Sequence, residues 1–451
     1  MGLLSKVDFK KLLIEVSPLL IILIGVALVA FSLGPYQSYD TNLEFEAASN
    51  VVTRGFPFVT TGLMINQPPL GFYMTAPVFH TFGLSYANGV GVVAAFGLGC
   101  VVLIYALGFL LYGKQTGLVA AALFGIVPWH VFMSRIFLID NQSLFFSLLF
   151  LIVGVLAVRK NSQKLLAVAG VFFALALITK LFAVFMLVPL LLMIFLQRKQ
   201  FGFKLSLRNV LIFLLPSLIL QTVWFGGFAN QNFFGVYFSS DITHPVLVAD
   251  PSLLFLPIIL VKSAGWFLFA AGLFSLALSV FYRKLFARIL WLDAVCVGTI
   301  AAVAGLDLLF VFGLHLTVPY VSAFKYNYLA LPFYCLLAAS LAAKSSVLIA
   351  SVDWKKKIHL VKPVLVGFGV VLLFASLLES IVFLGKWVGF VAFGVDSVTY
   401  YPFDVYSGPI QSYFQAFHYA AIVLVVFSVA LPLLVRGLKK PFDWLSRVLS
   451  S

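Results

Sequence analysis

Residues 34 to 86 read GPYQSYDTNLEFEAASNVVTRGFPFVTTGLMINQPPLGFYMTAPVFHTFGLSY and lie between two long apolar runs. Thr41-Asn42-Leu43-Glu44 fits a capping box, and Leu43, Ala47, Ala48, Val51 and Val52 recur at helical spacing until Gly55 and Pro57 stop the run. This spacing predicts a short amphipathic helix lying along a membrane interface. Pro68-Pro69 fixes an extended turn, followed by a second apolar segment from Leu70 to Phe82 that Pro77 is expected to break. The stretch reads as ordered structure with two interfacial elements, not as a tether.

The flanking runs set the solvent. Of the 451 residues, 63% are hydrophobic, 16% aromatic and only 10% charged, whereas soluble domains carry about 25% charged residues. Spans are expected near 12–33, 87–111, 116–133, 141–158, 164–179, 181–197, 209–228, 254–281, 289–306, 326–343, 363–385 and 417–435. The first is too long for a secretory signal and lacks its small-residue cleavage pattern, so it reads as a retained span. Thr179-Lys180 interrupts the apolar stretch between Lys164 and Gln197, which is read as two short spans joined by a tight outer turn. The three cysteines, Cys100, Cys296 and Cys335, each lie inside an apolar run and suit neither a disulfide framework nor a metal cluster.

A net charge of +14 could suggest nucleic acid, but the basic residues form short clusters between apolar runs. Most of the 29 Lys and Arg residues, Arg159, Lys160 and Lys344 among them, fall on alternate connections, which places those connections and both termini in the cytoplasm. Arg54, Arg135, Lys180, Lys262, Lys325 and Lys386 fall on the other side, together with Asp40, Glu44, Glu46, Asp140, Asp241, Asp250, Asp307, Asp396 and Asp404. Charges at span ends usually pair or line a polar cavity, so an outward-facing site with both signs of charge is expected.

Several segments carry a resemblance. An aspartate after the first span, a helix with Glu and paired Ala, a Gly-Phe-Pro stop and a Pro-Pro-Leu-Gly turn together are similar to the first outer loop of the GT-C membrane glycosyltransferases. Within them the loop resembles that of protein O-mannosyltransferases and lipid A aminoarabinose transferases. MSRIFLIDNQSLFF (133–146) looks like their arginine-to-aspartate segment, ALALITKLFAVF (174–185) like their Leu-Thr-Lys break, and FKYNYLALPFYCLLAAS (324–340) like their late span with a basic residue and Leu-Pro.

The resemblance implies an all-α polytopic fold of GT-C type, with about twelve transmembrane helices and interfacial helices in the first outer loop. An N-terminal module, 1–230, would carry the catalytic loop 34–86, and a C-terminal module, 231–451, the outer loops 231–253 and 386–416. It also implies transfer of a sugar from a polyprenyl-phosphate donor to an acceptor hydroxyl outside the cytoplasm. The partners would be the lipid-linked donor, a glycan, protein or lipid acceptor and membrane lipid, with no nucleic acid.

Inverting transfer needs one carboxylate to take the acceptor proton, and Asp40 is the candidate base. Its alternative role, capping the loop helix, is one that Thr41 already suits. Asp140, five residues after Arg135, is read either as orienting the acceptor or as holding a basic partner, Arg135 or Lys180. Arg135 is assigned to the leaving phosphate because guanidinium makes bidentate contacts to phosphate oxygens, with headgroup snorkelling as the alternative. Lys180 and Lys325 are further phosphate candidates near outer span ends.

Where aminoarabinose transferases carry a metal-site acid and a phosphate-facing lysine before the prolines, this chain has Asn66 and Gln67. No cofactor or divalent metal is therefore assigned, and Gln67 retains only an uncharged donor. Tyr39, Glu44, Asn66 and His244 are weaker substrate-binding candidates; an isolated Asp241-x-x-His244 reads more readily as solvated loop than as a metal site. His80, His130 and His315 stand alone in aromatic surroundings and read as structural. The competing classes are a secondary transporter or flippase, which should show internal repeats that this chain lacks, and an inactive scaffold of GT-C shape.

Overall fold

The computed structural model describes residues 9–32, 39–59, 64–65, 67–203, 206–224, 264–308, 327–352 and 361–392. Along the chain these form α1 (Phe9–Ser32), α2 (Tyr39–Arg54), α3 (Leu70–Phe82), α4 (Tyr86–Tyr112), α5 (Lys114–Ile126), α6 (Pro128–Met133), α7 (Asp140–Lys160) and α8 (Gln163–Thr179). A 3-10 turn (Leu181–Met186) leads into α9 (Leu187–Phe201), followed by α10 (Leu207–Val223), α11 (Trp266–Phe281), α12 (Ala287–Leu308), a short 3-10 turn (Tyr328–Ala330), α13 (Leu331–Ala350) and α14 (Val361–Ala392). Among the described residues the one strand-like pairing is an isolated bridge between Phe58 and Met64. By length and composition, Tyr86–Tyr112, Asp140–Lys160, Tyr328–Ala350 and Val361–Ser380 suffice to cross a membrane, and shorter apolar helices accompany them. The protein is an integral membrane protein with an all-helical fold.

Tight, capped turns fold these helices back on one another. Gly113, at φ +104°, separates α4 from α5, and Asn161, in the left-handed region at φ 47°, separates α7 from α8. Ser85, Ser162 and Ser206 each accept a hydrogen bond from a backbone N–H three residues on, capping α4, α8 and α10. Where helices cross, glycine brings backbones together. A Cβ on Gly117 of α5 would lie 2.7 Å from the Tyr105 carbonyl oxygen of α4, and one on Gly170 of α8 would meet the Phe213 carbonyl of α10. In lipid the hydrophobic effect does not pull helices together, so such close approach supplies the dispersion that does.

α4, α7 and α13 run between two ends of this bundle, called here the Asp140 end and the Lys344 end. Two extended spans expected from the sequence are each two elements. The run 116–133 divides at Val127–Pro128, where proline cannot continue α5 but suits the first position of α6; 181–197 begins as a 3-10 turn. Leu70–Phe82, expected to break at Pro77, is one helix through that proline, because a helix loses only one backbone bond there and the surrounding packing retains it. The capping box at Thr41 is not used: α2 begins at Tyr39, and Thr41 is buried inside it. Lys344, read as a cytoplasmic connection charge, lies inside α13 with no solvent exposure. Asp307 and Lys386, read as outer-connection residues, fall within the backbone of α12 and α14. The module boundary at 230/231, the loop 231–253, the segment 393–416 and the span 417–435 lie outside the described residues.

Gly117→Val should force α4 and α5 apart and cost about 1–3 kcal/mol as an overpacked interface. Thermal unfolding in detergent should show a clearly lowered midpoint, while Gly91→Ala, which meets no atom within 4 Å, should leave it unchanged.

Candidate active site

At the Asp140 end, α2 and α3 lie over the starts of α4 and α7. Ala47, Ala48 and Val51 of α2, Phe72 and Phe79 of α3, Val90 and Val93 of α4, and Phe137 and Ile139 form a buried cluster separate from the main core. Phe45 joins its parts, with ring centroids 5.5 Å from Phe79 and Tyr86 and 5.9 Å from Phe137. The apolar spacing seen in the sequence of α2 therefore packs onto protein.

This roof grips the 134–139 connection through its backbone. The Ile139 N–H donates to Glu44 Oε2 at 3.0 Å, and the Phe137 N–H donates to the Tyr86 hydroxyl oxygen at 3.1 Å. A buried N–H left without an acceptor costs about 1–3 kcal/mol, so these two side chains fix the path of the chain into α7. The Pro-Pro-Leu-Gly turn acts at the same place. Pro69 precedes α3, and a Cβ on Gly71 would meet Ile139 Cγ2 and lie 3.6 Å from Thr179 Cγ2. Only glycine lets the first turn of α3 press onto the start of α7 and the end of α8.

Asp140 opens α7, and its Oδ1 accepts from Lys180 Nζ at 2.6 Å; the two side chains are 5% and 7% exposed. α8 ends at Thr179, and Lys180 adopts an extended conformation (φ −155°, ψ 126°) before the 3-10 turn. The Leu-Thr-Lys break thus releases one lysine from helical geometry and gives it to the aspartate on the neighbouring helix. The second carboxylate oxygen, Asp140 Oδ2, is buried and accepts no hydrogen bond from the described residues. α9 then turns back along the bundle, since Leu190 lies against Gly154 of α7, as expected for two spans meeting at Lys180.

Arg135 lies on the same connection, outside the helices, and its side chain is fully buried. Burial lowers its pKa from the ordinary arginine range to about 9, which still leaves the guanidinium charged at neutral pH. Deeper in, Tyr328 links the two halves of the chain. Its hydroxyl donates to Asn141 Oδ1 at 2.7 Å and lies 2.6 Å from His130 Nδ1, so the nitrogen must donate to the tyrosine oxygen. Asn141 Nδ2 in turn donates to Ser134 Oγ at 3.0 Å.

The fold thus brings Glu44, Asp140 and Lys180 together from three distant stretches of sequence, with Arg135 on the connection that leads into α7. Of the two roles considered for Asp140, it fills the one that holds a basic partner, and Lys180 is that partner. Glu44, read from the sequence as a capping residue, accepts from the Ile139 amide. Tyr39 and Asp40 occupy the first turn of α2. Asp40 is four residues before Glu44, hence on the same helix face and about 6 Å further along the axis. Gln67 is half-buried ahead of Pro68 and Pro69. Asn66, His244 and Lys325 lie outside the described residues. His130, read as an isolated structural histidine, is joined to Tyr328 across 198 positions, a link no local pattern in the sequence encodes.

A bundle of apolar helices, roofed at one end by two loop helices that hold paired charges at the start of a span, has the GT-C-type fold. The family model for dolichyl-phosphate-mannose-protein mannosyltransferase matches residues 66–224. ArnT from Cupriavidus metallidurans in the apo state is similar at 13% identity and a TM-score of 0.52, over 82% of this chain and 76% of that one. The same protein bound to undecaprenyl phosphate matches over 94% of this chain and 78% of that one, at 13% identity and a TM-score of 0.52. The Archaeoglobus fulgidus oligosaccharyltransferase in the apo form is similar at 14% identity and a TM-score of 0.53, over 82% of this chain and 56% of that one. No curated protein sequence matches. These likenesses agree with the GT-C resemblance read from the sequence, and at such identities they speak to the fold.

Lys180→Met would strand the Asp140 carboxylate in a buried setting and should cost about 3–5 kcal/mol, as removal of one partner of a buried pair does. The thermal midpoint in detergent should fall sharply, and Lys180→Met combined with Asp140→Leu should recover most of it.

Proposed function

We propose that this protein is a glycosyltransferase that moves a sugar from a polyprenyl-phosphate donor, dolichyl or undecaprenyl, to an acceptor hydroxyl on the non-cytoplasmic side of the membrane. The observation that carries the proposal is the contact of Glu44 with the Ile139 amide. Glu44 meets the start of α7 there, where Asp140 and Lys180 pair, and Asp40 lies about one turn earlier on α2. A candidate base and a buried charge centre thereby share one end of a lipid-embedded bundle. That is the depth at which a lipid-linked phosphate resides.

In this reading the acceptor oxygen attacks the anomeric carbon while the bond from that carbon to the phosphate oxygen breaks. The acceptor proton passes to Asp40, and the electron pair of the broken bond leaves with the polyprenyl phosphate. The configuration inverts because the displacement is single. Arg135 and Lys180 stabilise the charge that grows on the departing phosphate, an effect strongest where water is excluded. Lys180 reaches this role already oriented by Asp140 Oδ1, and Asp140 Oδ2 is left to accept a hydrogen bond from a substrate hydroxyl. Lys325 and Gln67 are secondary phosphate contacts, and Tyr39, Glu44, Asn66 and His244 contribute to substrate binding. The family match and the fold of ArnT support this assignment. The Asp140 end then faces outward, with both termini in the cytoplasm, and residues 1–230 form the catalytic module.

Purified protein in proteoliposomes, given radiolabelled polyprenyl-phosphate sugar and a mixed set of glycan, peptide and lipid acceptors, should transfer label. Asp40→Asn should lower turnover by about 10²-fold or more, the scale of a lost general base, with unchanged folding. Full activity in that variant would remove Asp40 from the mechanism, and movement of the donor across the bilayer without transfer would assign a transporter instead.

A further inference from the structure

At the Lys344 end, the bundle holds a second charge cluster that sugar transfer does not use. Lys344 of α13 and Asp293 of α12 are paired at 2.7 Å, and neither side chain has any exposed surface. Lys344 Nζ donates to Asp293 Oδ2, to Ser275 Oγ at 2.6 Å and to the Ser275 carbonyl at 2.8 Å, so all three ammonium hydrogens are used. The carboxylate is filled from other helices: Ser279 donates to Oδ2, Tyr112 donates to Oδ1 at 3.3 Å, and Ser340 donates to Oδ1 at 3.4 Å. Four helices, α4, α11, α12 and α13, meet on this one pair.

Immediately around this pair, the apolar contacts of α13 carry little directional information. Leu337, Ala338, Ala339 and Leu341 are small or aliphatic and fully or nearly buried, and such side chains tolerate a slip along the axis far better than buried charges. The ion pair does not. A shift of α13 would leave an ammonium and a carboxylate unpaired in a medium without water, which is strongly penalised, whereas a buried pair adds little stability over apolar side chains of similar size. Its physical effect is therefore selection of one register, the role that buried polar residues play in helical assemblies. The same rod begins at the opposite end with Tyr328, from which position 344 lies roughly 24 Å away by helical rise. Tyr328 meets His130 and Asn141, and Asn141 adjoins Asp140.

We propose that Lys344 and Asp293 form a register lock: their pairing sets the axial position of α13 and so brings Tyr328 to the start of α7 beside Asp140 and Lys180. They are positioning residues, acting on the centre through α13. The consequence for turnover rests on the proposed transfer function; the consequence for structure does not.

The test is the double variant Lys344→Met/Asp293→Leu in the full-length protein in nanodiscs, read by hydrogen exchange and thermal unfolding. The midpoint should stay within a few degrees of wild type, while the amides of 328–331 exchange about tenfold faster or more, as expected for a locally loosened junction. In the transfer assay, kcat should fall about tenfold or more with the donor KM within about threefold, the pattern of a misplaced centre with intact donor binding. Unchanged exchange at 328–331 would overturn the lock. So would a double variant that fails to fold, because the pair would then be a source of stability and not of register. A wild-type protein without transferase activity would defeat the proposed function and leave the lock to be decided by exchange.

Discussion

Lys180, just past the end of α8, and Asp140, at the start of α7, are held out of water, and each is tolerable there only because of the other. A lone charge buried here would be strongly penalised, and removing one partner of a buried pair costs about 3–5 kcal/mol. Other features at the Asp140 end meet the conditions of that pair. α8 must stop at Thr179 so that Lys180 can leave the helix. α7 must begin at Asp140, so the preceding connection must follow a fixed path, and Glu44 and Tyr86 take two of its amides to keep it there. α3 must approach closely enough to cover the junction, which is why Gly71 carries no side chain.

A consequence is that the roof and the charges form one unit. The aromatic cluster around Phe45, Phe79 and Phe137 excludes water from the connection that carries Arg135. Water exclusion strengthens electrostatic interaction at this end, whether between the residues themselves or with an anionic substrate. It also explains why the loop 34–86 has so regular an apolar spacing: α2 and α3 pack against the bundle through one face and are not merely floating at a lipid interface.

Much of this was legible in the chain. Helix positions follow from apolar runs long enough to cross lipid, and Ser85, Ser162, Ser206, Gly113 and Asn161 mark where they turn. Thr179-Lys180 announced a break because a lysine in the middle of an apolar stretch has no other place to go. The Asp140 to Lys180 contact could be framed as one of two alternatives, because span ends on the same side bring charges within reach. What stayed hidden depends on distant pairs. Lys344 sits near the end of an apolar run and looks like a topological charge until Asp293 is found beside it, and His130 looks solitary until Tyr328 arrives from nearly two hundred residues away. Pro77 and Thr41 misled for a local reason: each has a strong local preference that tertiary packing overrides.

The central claim is that the charge centre beneath α2 receives a lipid-linked anion. The most direct measurement is an experimental structure of the protein in nanodiscs saturated with undecaprenyl phosphate. The account requires the phosphate at the Asp140 end, beneath the first turn of α2 and within hydrogen-bonding reach of Lys180 or Arg135. A phosphate bound at the Lys344 end, or excluded from the Asp140 end at saturation, would contradict it.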